Sequence, residues 1–377
     1  MTEKRVLQTS KPQIGEPERL AIERVLESGY FGMGPEVRLF EQELEVYLGG
    51  ERTVTCVNAG TSALHLAVEA LELQPEHEVL VPSLTYLSSF QAVAMAGVRP
   101  VACDVRIETG LLDLADARRR LSARTQAIMF VHYAGNPGDL DELYEFAQAN
   151  GLRVIEDAAH AFGSRYNGRL VGSVGDIVCF SFDPIKNITS GQGGAIVTKN
   201  EAVIERVRHM RNLGLRYFSD TSGKPDFDVR SMGWRYEMSD LMAAIGRAQL
   251  ARFEKELKPA RMALAAAYGS RLGGIDGITL IETGPEVVPH IVPIRVDSRE
   301  RAAVQAELMA AGYETKVHYK PNHMLSAFND GSPRPVCERL HAELLTLPSH
   351  AGVTETHIED IAGVLERHLA PGLRSPR

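Results

Sequence analysis

The segment LRVIEDAAHAFGSRYNGRLVGSVGDIVCFSFDPIKNITSGQGGAIVT, residues 152–198, carries the clearest indication of the fold. It contains three runs of apolar and β-branched residues, LRVIEDAAH, GDIVCFSF and GGAIVT, and each run predicts a buried strand. Four runs of the same kind lie earlier in the chain, at residues 52–60, 77–86, 98–105 and 125–133. The first two-thirds of the chain is therefore predicted to be rich in buried strands.

Amphipathic helical patterns lie between several of these runs. Two examples are TSALHLAVEALE at residues 61–72 and DLDELYEFAQANG at residues 139–151, which ends at a capping glycine, Gly151. Strand–helix alternation of this kind predicts an α/β fold, in which helices cover both faces of a mostly parallel sheet. Ligands bind such sheets at the carboxyl ends of the strands, so the candidate site residues are sought there.

The pattern changes near Met238, where a long helix is predicted over residues 238–272. Strands at HIVPIRV and ETKVHY and helices at RERAAVQAELMAAG and THIEDIAGVLERHL follow it. We interpret the chain as a large cofactor-binding domain over residues 1–245 and a smaller α+β domain over residues 246–377.

The composition excludes several classes of protein. The chain has 377 residues and a net charge of -8, which opposes nonspecific binding to nucleic acid. No apolar run approaches the roughly 18 residues that a membrane span needs, and the N-terminus lacks an apolar signal core. Four scattered cysteines predict a reduced cytoplasmic protein with no metal site. They are Cys56, Cys103, Cys179 and Cys337.

A lysine lies between a strand and a glycine-rich turn in CFSFDPIKNITSGQGGAIVT, residues 179–198. Glycines let the backbone approach a ligand closely, and a desolvated Lys186 amine is suited to form a Schiff base with an aldehyde cofactor. Considered alone, Lys186 is more simply explained as a surface lysine in a loop.

An acidic residue ends the predicted strand at LRVIED, and a histidine follows three residues later. Opposite a pyridinium nitrogen, the Asp157 carboxylate is paired and keeps that nitrogen protonated. His160 is predicted to lie on the same side of a starting helical turn, where it can touch the ring of such a cofactor. The structural alternatives are a helix N-cap for Asp157 and a buried histidine with ordinary partners for His160.

The third motif is CVNAGTSALHLAVEAL at residues 56–71, where a strand leads into a helix. Backbone N–H groups at Gly60, with the Thr61 and Ser62 hydroxyls, predict a phosphate site, although plain helix capping explains the motif equally well in isolation. Ser181 adds a further hydroxyl for the phosphate, and Tyr86 can stack on a cofactor ring. No structural alternative explains all of these residues together.

These motifs, in this order, resemble the DegT/DnrJ/StrS family of sugar aminotransferases, a fold-type I pyridoxal phosphate group. The resemblance extends nearly from end to end of the chain. Its motifs are GMGP followed by FEQELEVYLG, NAGTSALHLA, VPSLTY, EDAAHAFGS, FSFDPIKNITSGQGG, RNLG, MSDLMAAIGRAQL, VHYKPNH and LLTLPSH.

The resemblance implies a role for each matching residue. Lys186 would link covalently to pyridoxal phosphate and act as the catalytic base, with Asp157 at the pyridine nitrogen and His160 at the ring or its oxygen. The segment that contains His318, Lys320 and His323 would line the sugar site. The family resemblance further implies a homodimer with shared active sites. The implied reaction moves an amino group from glutamate to the keto group of a nucleotide-linked deoxysugar.

One segment departs from the pattern of the family. Many members have GxNYRM where this chain has GWRYEM, residues 233–238. Arg235 therefore stands where an asparagine often reaches the phosphate of the partner's cofactor, and Glu237 stands where an arginine is frequent. An arginine can meet a phosphate as a charged donor, so Arg235 is retained as a cofactor-binding residue.

Two other functions are weighed against the transaminase. Related sugar dehydratases replace the Schiff-base lysine with histidine, so Lys186 argues against that activity. A noncatalytic regulator that binds the cofactor or a sugar is the other alternative, and an intact set of catalytic residues argues against it. Keto-cyclitols remain alternative substrates.

Overall fold

The computed structural model describes residues 6–219, 223–229 and 231–370, and a seven-stranded sheet lies at its centre. The strands are β1 Thr53–Val57, β2 Glu78–Pro82, β3 Arg99–Cys103, β4 Thr125–Val131, β5 Arg153–Asp157, β6 Arg165–Tyr166, β7 Arg169–Leu170, β8 Ile177–Ser181, β9 Gly194–Thr198, β10 Leu215–Ser219, β11 Pro225–Val229, β12 Thr279–Leu280, β13 Val292–Arg295 and β14 Leu344–Leu347.

The central sheet has the order β1-β9-β8-β5-β4-β2-β3. Five neighbouring strands pair in parallel, while β9 is antiparallel to both β8 and β1. Each of the seven runs predicted as a strand contributes one strand to this sheet. The prediction of an α/β fold with a mostly parallel central sheet is therefore confirmed.

Helices cover the sheet and continue into the C-terminal region. They are α1 Glu16–Ser28, α2 Pro35–Tyr47, α3 Gly60–Glu69, α4 Ser88–Met95, α5 Leu114–Arg120, α6 Leu140–Ala149, α7 Glu201–Met210, α8 Asp240–Arg252, α9 Lys258–Leu272, α10 Arg301–Ala311, α11 Pro335–Glu343 and α12 Glu355–Leu369. The predicted long helix is α8 joined to α9 by a π-helical turn, Phe253–Leu257. Gly151, just after α6, has φ +64°, in the left-handed region expected for a C-capping glycine.

Alternate residues of the central strands point into different cores. On β2, Val79 and Val81 pack into a core that includes residues of α3 and α4, whereas Leu80 packs into a core that includes residues of α6. Both faces are therefore covered, which explains why the strand sequences are mostly apolar rather than alternating.

The C-terminal region contains a second, antiparallel sheet with the order β12-β13-β14, packed against α9, α10 and α12. The predicted strand at HIVPIRV is present as β13. The predicted strand at ETKVHY was wrong, because only Lys316 of this segment pairs with a strand, in an isolated bridge to Thr346 of β14. All four residues of β14 are buried, whereas ETKVHY has too many polar residues for a strand inside this core.

The proposed division of the chain at residue 245 falls inside α8, which packs on α1 and α2. The N-terminal segment also contacts the C-terminal region, where Leu7 bridges Tyr313 and Thr9 hydrogen-bonds Glu314. The two-domain division stays a prediction. Within the described residues, no helix is both long and apolar enough to cross a membrane.

Candidate active site

A cavity of about 260 Å³ lies at the carboxyl ends of β2, β5 and β8, where the strand topology predicts a ligand site. It brings together most of the residues predicted from sequence. Those that line it are Gly60, Thr61, Tyr86, Asp157, His160, Ser181, Lys186 and His318. The predicted residues outside the lining are Ser62, Arg235, Lys320 and His323.

One end of the cavity is the beginning of α3. Its N-cap, Ala59, has an extended backbone and no side chain caps the helix, so the alternative of plain Ser/Thr capping does not hold. Thr61 Oγ1 lies 2.7 Å from Ser88 Oγ, and the Ser62 hydroxyl donates to Asn58 Oδ1 at 2.7 Å. The first N–H groups of α3 are therefore open to an anion.

The start of α3 lies unusually close to the end of β8. A β-carbon added at Gly60 would come within 2.7 Å of Ser181 Cβ and 2.9 Å of its Oγ. Glycine at position 60 thus lets the helix start and the Ser181 hydroxyl converge on the same part of the cavity.

Asp157 is the last residue of β5 and is buried. Its Oδ2 accepts a hydrogen bond from Ser89 Oγ at 2.8 Å, and its Oδ1 accepts one from the Ala159 N–H at 3.2 Å. Burial raises the pKa of this carboxyl, and the two hydrogen bonds only partly oppose that. No α-helix follows Asp157, so the helix N-cap alternative fails. A nearby cation would favour the ionised form of the Asp157 carboxyl.

His160 lies in a turn rather than at the start of a helix, so the predicted helical turn was wrong, yet its side chain still lines the cavity. Its Nε2 is 2.9 Å from the Tyr319 hydroxyl. Its ring centroid is 4.4 Å from that of His290, a residue that sequence reasoning missed. Burial holds the pKa of both histidines well below the usual value, so both rings are neutral.

Lys186 projects its amine into the cavity from the loop after β8. Burial lowers the pKa of this amine to about 8, although Asp157 and Asp183 oppose the shift, while Arg261 adds to it. Arg261 lies on α9 and donates from Nη2 to the backbone carbonyl of Lys186 at 3.0 Å. Its Nη1 is buried and has no hydrogen-bond partner among the described residues. A large fraction of Lys186 is therefore neutral near pH 8.

Two aromatic residues and a histidine form the side of the cavity away from the sheet. The Tyr86 ring lies at the mouth, 55% exposed, with its centroid 5.9 Å from the ring of Tyr319. His318 Nδ1 is 2.8 Å from Thr346 Oγ1, and burial lowers the pKa of His318 to about 4. Tyr319 also lines the cavity, and the sequence motif VHYKPNH that contains it indicated no role for it.

The remaining predicted residues lie away from the cavity of this chain. Lys320 and Arg235 are exposed. His323 is buried with both ring nitrogens paired, Nδ1 with Ser83 Oγ at 2.7 Å and Nε2 with Glu338 Oε1 at 3.1 Å. The structure thus gives His323 a packing environment rather than a place at the cavity surface.

An α/β sheet with a lysine, a buried carboxylate and an open helix N-terminus around one cavity has the architecture of an α/β aminotransferase. Comparison with known proteins agrees, because residues 12–366 match the model of the DegT/DnrJ/EryC1/StrS aminotransferase family. The chain belongs to this family. The predictions of the family and of an aminotransferase enzyme are therefore confirmed.

Individual relatives cover most of the chain. A Streptomyces venezuelae protein, dTDP-3-amino-3,4,6-trideoxy-alpha-D-glucose transaminase, is 36% identical over 336 residues, which cover 87% of this chain and 86% of that protein. The structure of S. venezuelae DesV in complex with a ketimine intermediate has a TM-score of 0.85 and 33% identity, covering 94% of each chain. The PLP form of Spr1654 from Streptococcus pneumoniae has a TM-score of 0.88 and 28% identity, covering 97% of this chain and 100% of that one.

Proposed function

We propose that this protein transfers an amino group from glutamate to the keto group of a nucleotide-linked deoxysugar, with pyridoxal phosphate held on Lys186. The observation that carries the proposal is the cavity lined by both Lys186 and Asp157, beside the uncapped start of α3. The names of the relatives as sugar transaminases support the substrate class. Lys186 also argues against the dehydratase alternative, and the complete set of site residues argues against a noncatalytic regulator.

The residues present fit pyridoxal phosphate at three points. The open N–H groups of α3, with Thr61 and Ser181, suit the phosphate, because a helix N-terminus favours negative charge. Lys186 offers a partly neutral amine, and the Asp157 carboxylate lies at the end of β5. When bound, the cofactor supplies an electron sink for the charge that develops on the substrate carbon.

Asp157 would keep the pyridine nitrogen protonated. A buried carboxylate without a cationic partner is costly, and its raised pKa reflects that cost. A pyridinium N–H would supply the missing positive charge. Ser89 holds the carboxylate in place through its hydrogen bond to Oδ2, and so fixes the direction in which the other oxygen faces.

Lys186 would move the proton between the substrate carbon and the cofactor carbon. A general base works best when its pKa lies near the operating pH, and a pKa of about 8 meets that condition. The neutral His160 would contact the ring of the cofactor, and the exposed Tyr86 would stack on it from the cavity mouth.

The substrates require more positive charge than this chain provides within the cavity. Among the lining residues of the cavity in the described part of the chain, Lys186 is the single lysine or arginine, and its amine is partly neutral. Glutamate has two carboxylates and a nucleotide sugar has a diphosphate, and both need cationic partners. We assign Lys320, which is exposed, to the diphosphate, and His318 to a sugar hydroxyl.

Arg235 is assigned to the active site of the other subunit in a homodimer. The backbone around Arg235 is fixed, since its carbonyl accepts from Asn58 Nδ2 at 3.3 Å, while its side chain is exposed. A donor presented outward from a fixed backbone is suited to reach a neighbouring molecule. The exposed hairpin of β10 and β11 immediately precedes this segment.

The reaction is tested by mixing the purified protein, pyridoxal phosphate and glutamate with a panel of keto compounds. The panel contains nucleotide-linked keto sugars, the same sugars without the nucleotide, and a keto-cyclitol. We expect release of 2-oxoglutarate with the nucleotide-linked sugars, and little with the free sugars. Turnover of the cyclitol alone would contradict the proposed substrate class.

The shared active site is tested by complementation between two inactive chains. A Lys186→Ala chain mixed with an Arg235→Ala chain should recover partial activity, because one site of the mixed dimer keeps both residues. An Arg216→Ala chain, altered on the exposed hairpin, is the control partner for the effect of losing a surface arginine. An active monomer in sedimentation would contradict the arrangement.

We assign the protein to the cytoplasm. All four cysteines are free and buried, and none is positioned as part of a disulfide. Free cysteines are typical of a reducing compartment. Fractionation of the native host, with this chain followed by antibody, tests the assignment.

A further inference from the structure

His290 lies directly behind the Lys186 amine. It precedes β13 and is 3% exposed, and its Nε2 is 3.5 Å from Lys186 Nζ. It does not line the cavity, so neither substrate nor cofactor is expected to touch it. Its nearest polar partner in the described structure is the amine that the proposed function depends on.

The environment of Nδ1, the second ring nitrogen of His290, determines whether His290 or Lys186 donates the hydrogen bond. Nδ1 of His290 is buried and has no partner among the described residues. If Nε2 accepted a hydrogen bond from a lysine ammonium, the neutral ring would carry its own hydrogen on Nδ1, where that N–H would have no partner. Orphaned buried N–H groups are rarer than orphaned acceptors, so the form with the hydrogen on Nε2 is favoured. That form donates to the lone pair of a neutral amine.

The charges around Lys186 leave its protonation closely balanced. The carboxylates of Asp157 and Asp183 favour the ammonium form, while burial and the Arg261 guanidinium favour the neutral amine. His160 and His318 also face this group, and burial keeps both of them neutral. Because these effects oppose one another, a single hydrogen bond to the neutral amine or to the ammonium measurably changes the fraction of Lys186 in that form.

We propose that His290 is a positioning residue that donates its Nε2–H to Lys186 Nζ, and so holds the unlinked lysine as a neutral amine ready to react. The role of His290 in catalysis rests on the function proposed for Lys186, but the contact between His290 and Lys186 does not require the cofactor. An amine held in this way needs no deprotonation before it attacks an aldehyde, and breaking the hydrogen bond to His290 frees its lone pair for the attack.

The contact is tested first on the unaltered protein. The cofactor-free chain is labelled with ¹⁵N-histidine, and the tautomer of His290 is read from its ring nitrogen shifts above pH 8, with the His290→Gln variant to assign the signal. We expect the hydrogen on Nε2. A hydrogen on Nδ1 would overturn the proposal, and the tautomer itself is read on the unaltered protein.

The second test measures Lys186 itself. Cofactor-free protein is labelled with trace acetic anhydride across a pH series, and modification of the Lys186 peptide is quantified by mass spectrometry. In His290→Phe, which lacks the donor, the midpoint of the labelling curve should rise, and the protonation constant of Lys186 should increase about fivefold, the factor that one ordinary hydrogen bond represents. His290→Gln places an amide N–H near the same point and should restore the midpoint.

The control is His350→Phe, because His350 is also buried but is paired with Gln8 and Gly352 rather than Lys186. It should leave labelling of Lys186 unchanged. A midpoint that is unchanged or lower in His290→Phe would overturn the proposal. If labelling behaves as expected but Lys186→Ala keeps the visible absorbance of bound cofactor, the function proposed for Lys186 fails while the His290 contact stands.

Discussion

The two walls of the cavity are built in different ways. The sheet wall places Asp157 and Lys186 at or just after the ends of neighbouring strands, β5 and β8, and both side chains line the cavity. The opposite wall comes from the irregular segment 317–323, in which His318 lines the cavity but His323 does not. Parallel strands fix where their ends lie, whereas an irregular segment can turn each side chain in a different direction. The positions of Asp157 and Lys186 therefore follow from the strand topology, whereas those of His318 and His323 depend on local packing.

The largest expected effect is on the sheet wall. Lys186→Ala should lower turnover by on the order of 10⁴-fold, because it removes both the covalent attachment and the base. The visible absorbance of the lysine-linked cofactor should disappear as well. Exposed Lys199, which pairs with Glu51, is the matched control, and Lys199→Ala should leave both readouts unchanged. Retained absorbance and turnover in Lys186→Ala would contradict the role of the sheet wall.

A smaller loss is expected at the other sheet residue. Asp157→Asn should retain the cofactor but slow the glutamate half-reaction about 10- to 1000-fold. An opposite charge nearby shifts a pKa by about one to three pH units, and the ring nitrogen would lose that protonation. Ser89→Ala removes only one hydrogen bond to Asp157, so single-turnover rates should fall about fivefold. Equal rates for Asp157→Asn and wild type would remove Asp157 from the mechanism.

The pH dependence of cofactor attachment tests a further property of the sheet wall, the lowered pKa of Lys186. The pKa of Lys186 is lowered to about 8, so below pH 8 the reactive neutral fraction changes about tenfold per pH unit. The rate at which cofactor-free protein captures pyridoxal phosphate should therefore rise with pH and level off above 8. Stopped-flow absorbance measures it. A rate that keeps rising to pH 10 would mean that the lysine keeps its ordinary pKa.

The smallest effects distinguish two histidines of the irregular wall. His318→Ala should slow the sugar half-reaction about fivefold while leaving the glutamate half-reaction nearly intact, since one hydrogen bond contributes roughly that factor. His323→Ala should affect both halves slightly and equally, and lower the free energy of unfolding by about 1–3 kcal/mol, because it removes the side-chain partners of the buried Ser83 hydroxyl and of Glu338 while only the backbone N–H of residue 323 still donates to Ser83 Oγ. Rapid mixing and chemical denaturation provide the two measurements. A selective sugar defect in His323→Ala would place this residue at the substrate after all.

Most of the sheet and much of the sheet wall could be predicted from sequence. The seven strands are mostly apolar because both faces are covered, and that signal is local. Asp157 ends β5 and Lys186 lies in the loop after β8, so their meeting follows from parallel pairing. The motif at Gly60 was equally readable as capping, and only the uncapped Ala59 distinguishes the two.

The residues that were missed depend on contacts distant in sequence. His290 lies 104 positions from Lys186, and nothing in VVPHIVPIRV marks it as more than a residue before a strand. Arg261 reaches the Lys186 carbonyl from α9, on a helix face that sequence periodicity does not single out. The segment ETKVHY failed for a related reason, because its alternation suits a strand while only Lys316 finds a pairing partner, Thr346 of β14.

The contact between the beginning of the chain and its C-terminal region has a consequence for biosynthesis. Leu7 exchanges backbone hydrogen bonds with Gly312 and Glu314, and Thr9 bonds Glu314 across 305 positions. At roughly 5–20 residues per second, a ribosome needs about 15–60 s to make the residues between them. Until then Leu7 and Thr9 lack these partners, whereas the last strand of the central sheet is complete once Thr198 is made. The segment around Leu7 and Thr9 is thus translated long before its native pairing can form.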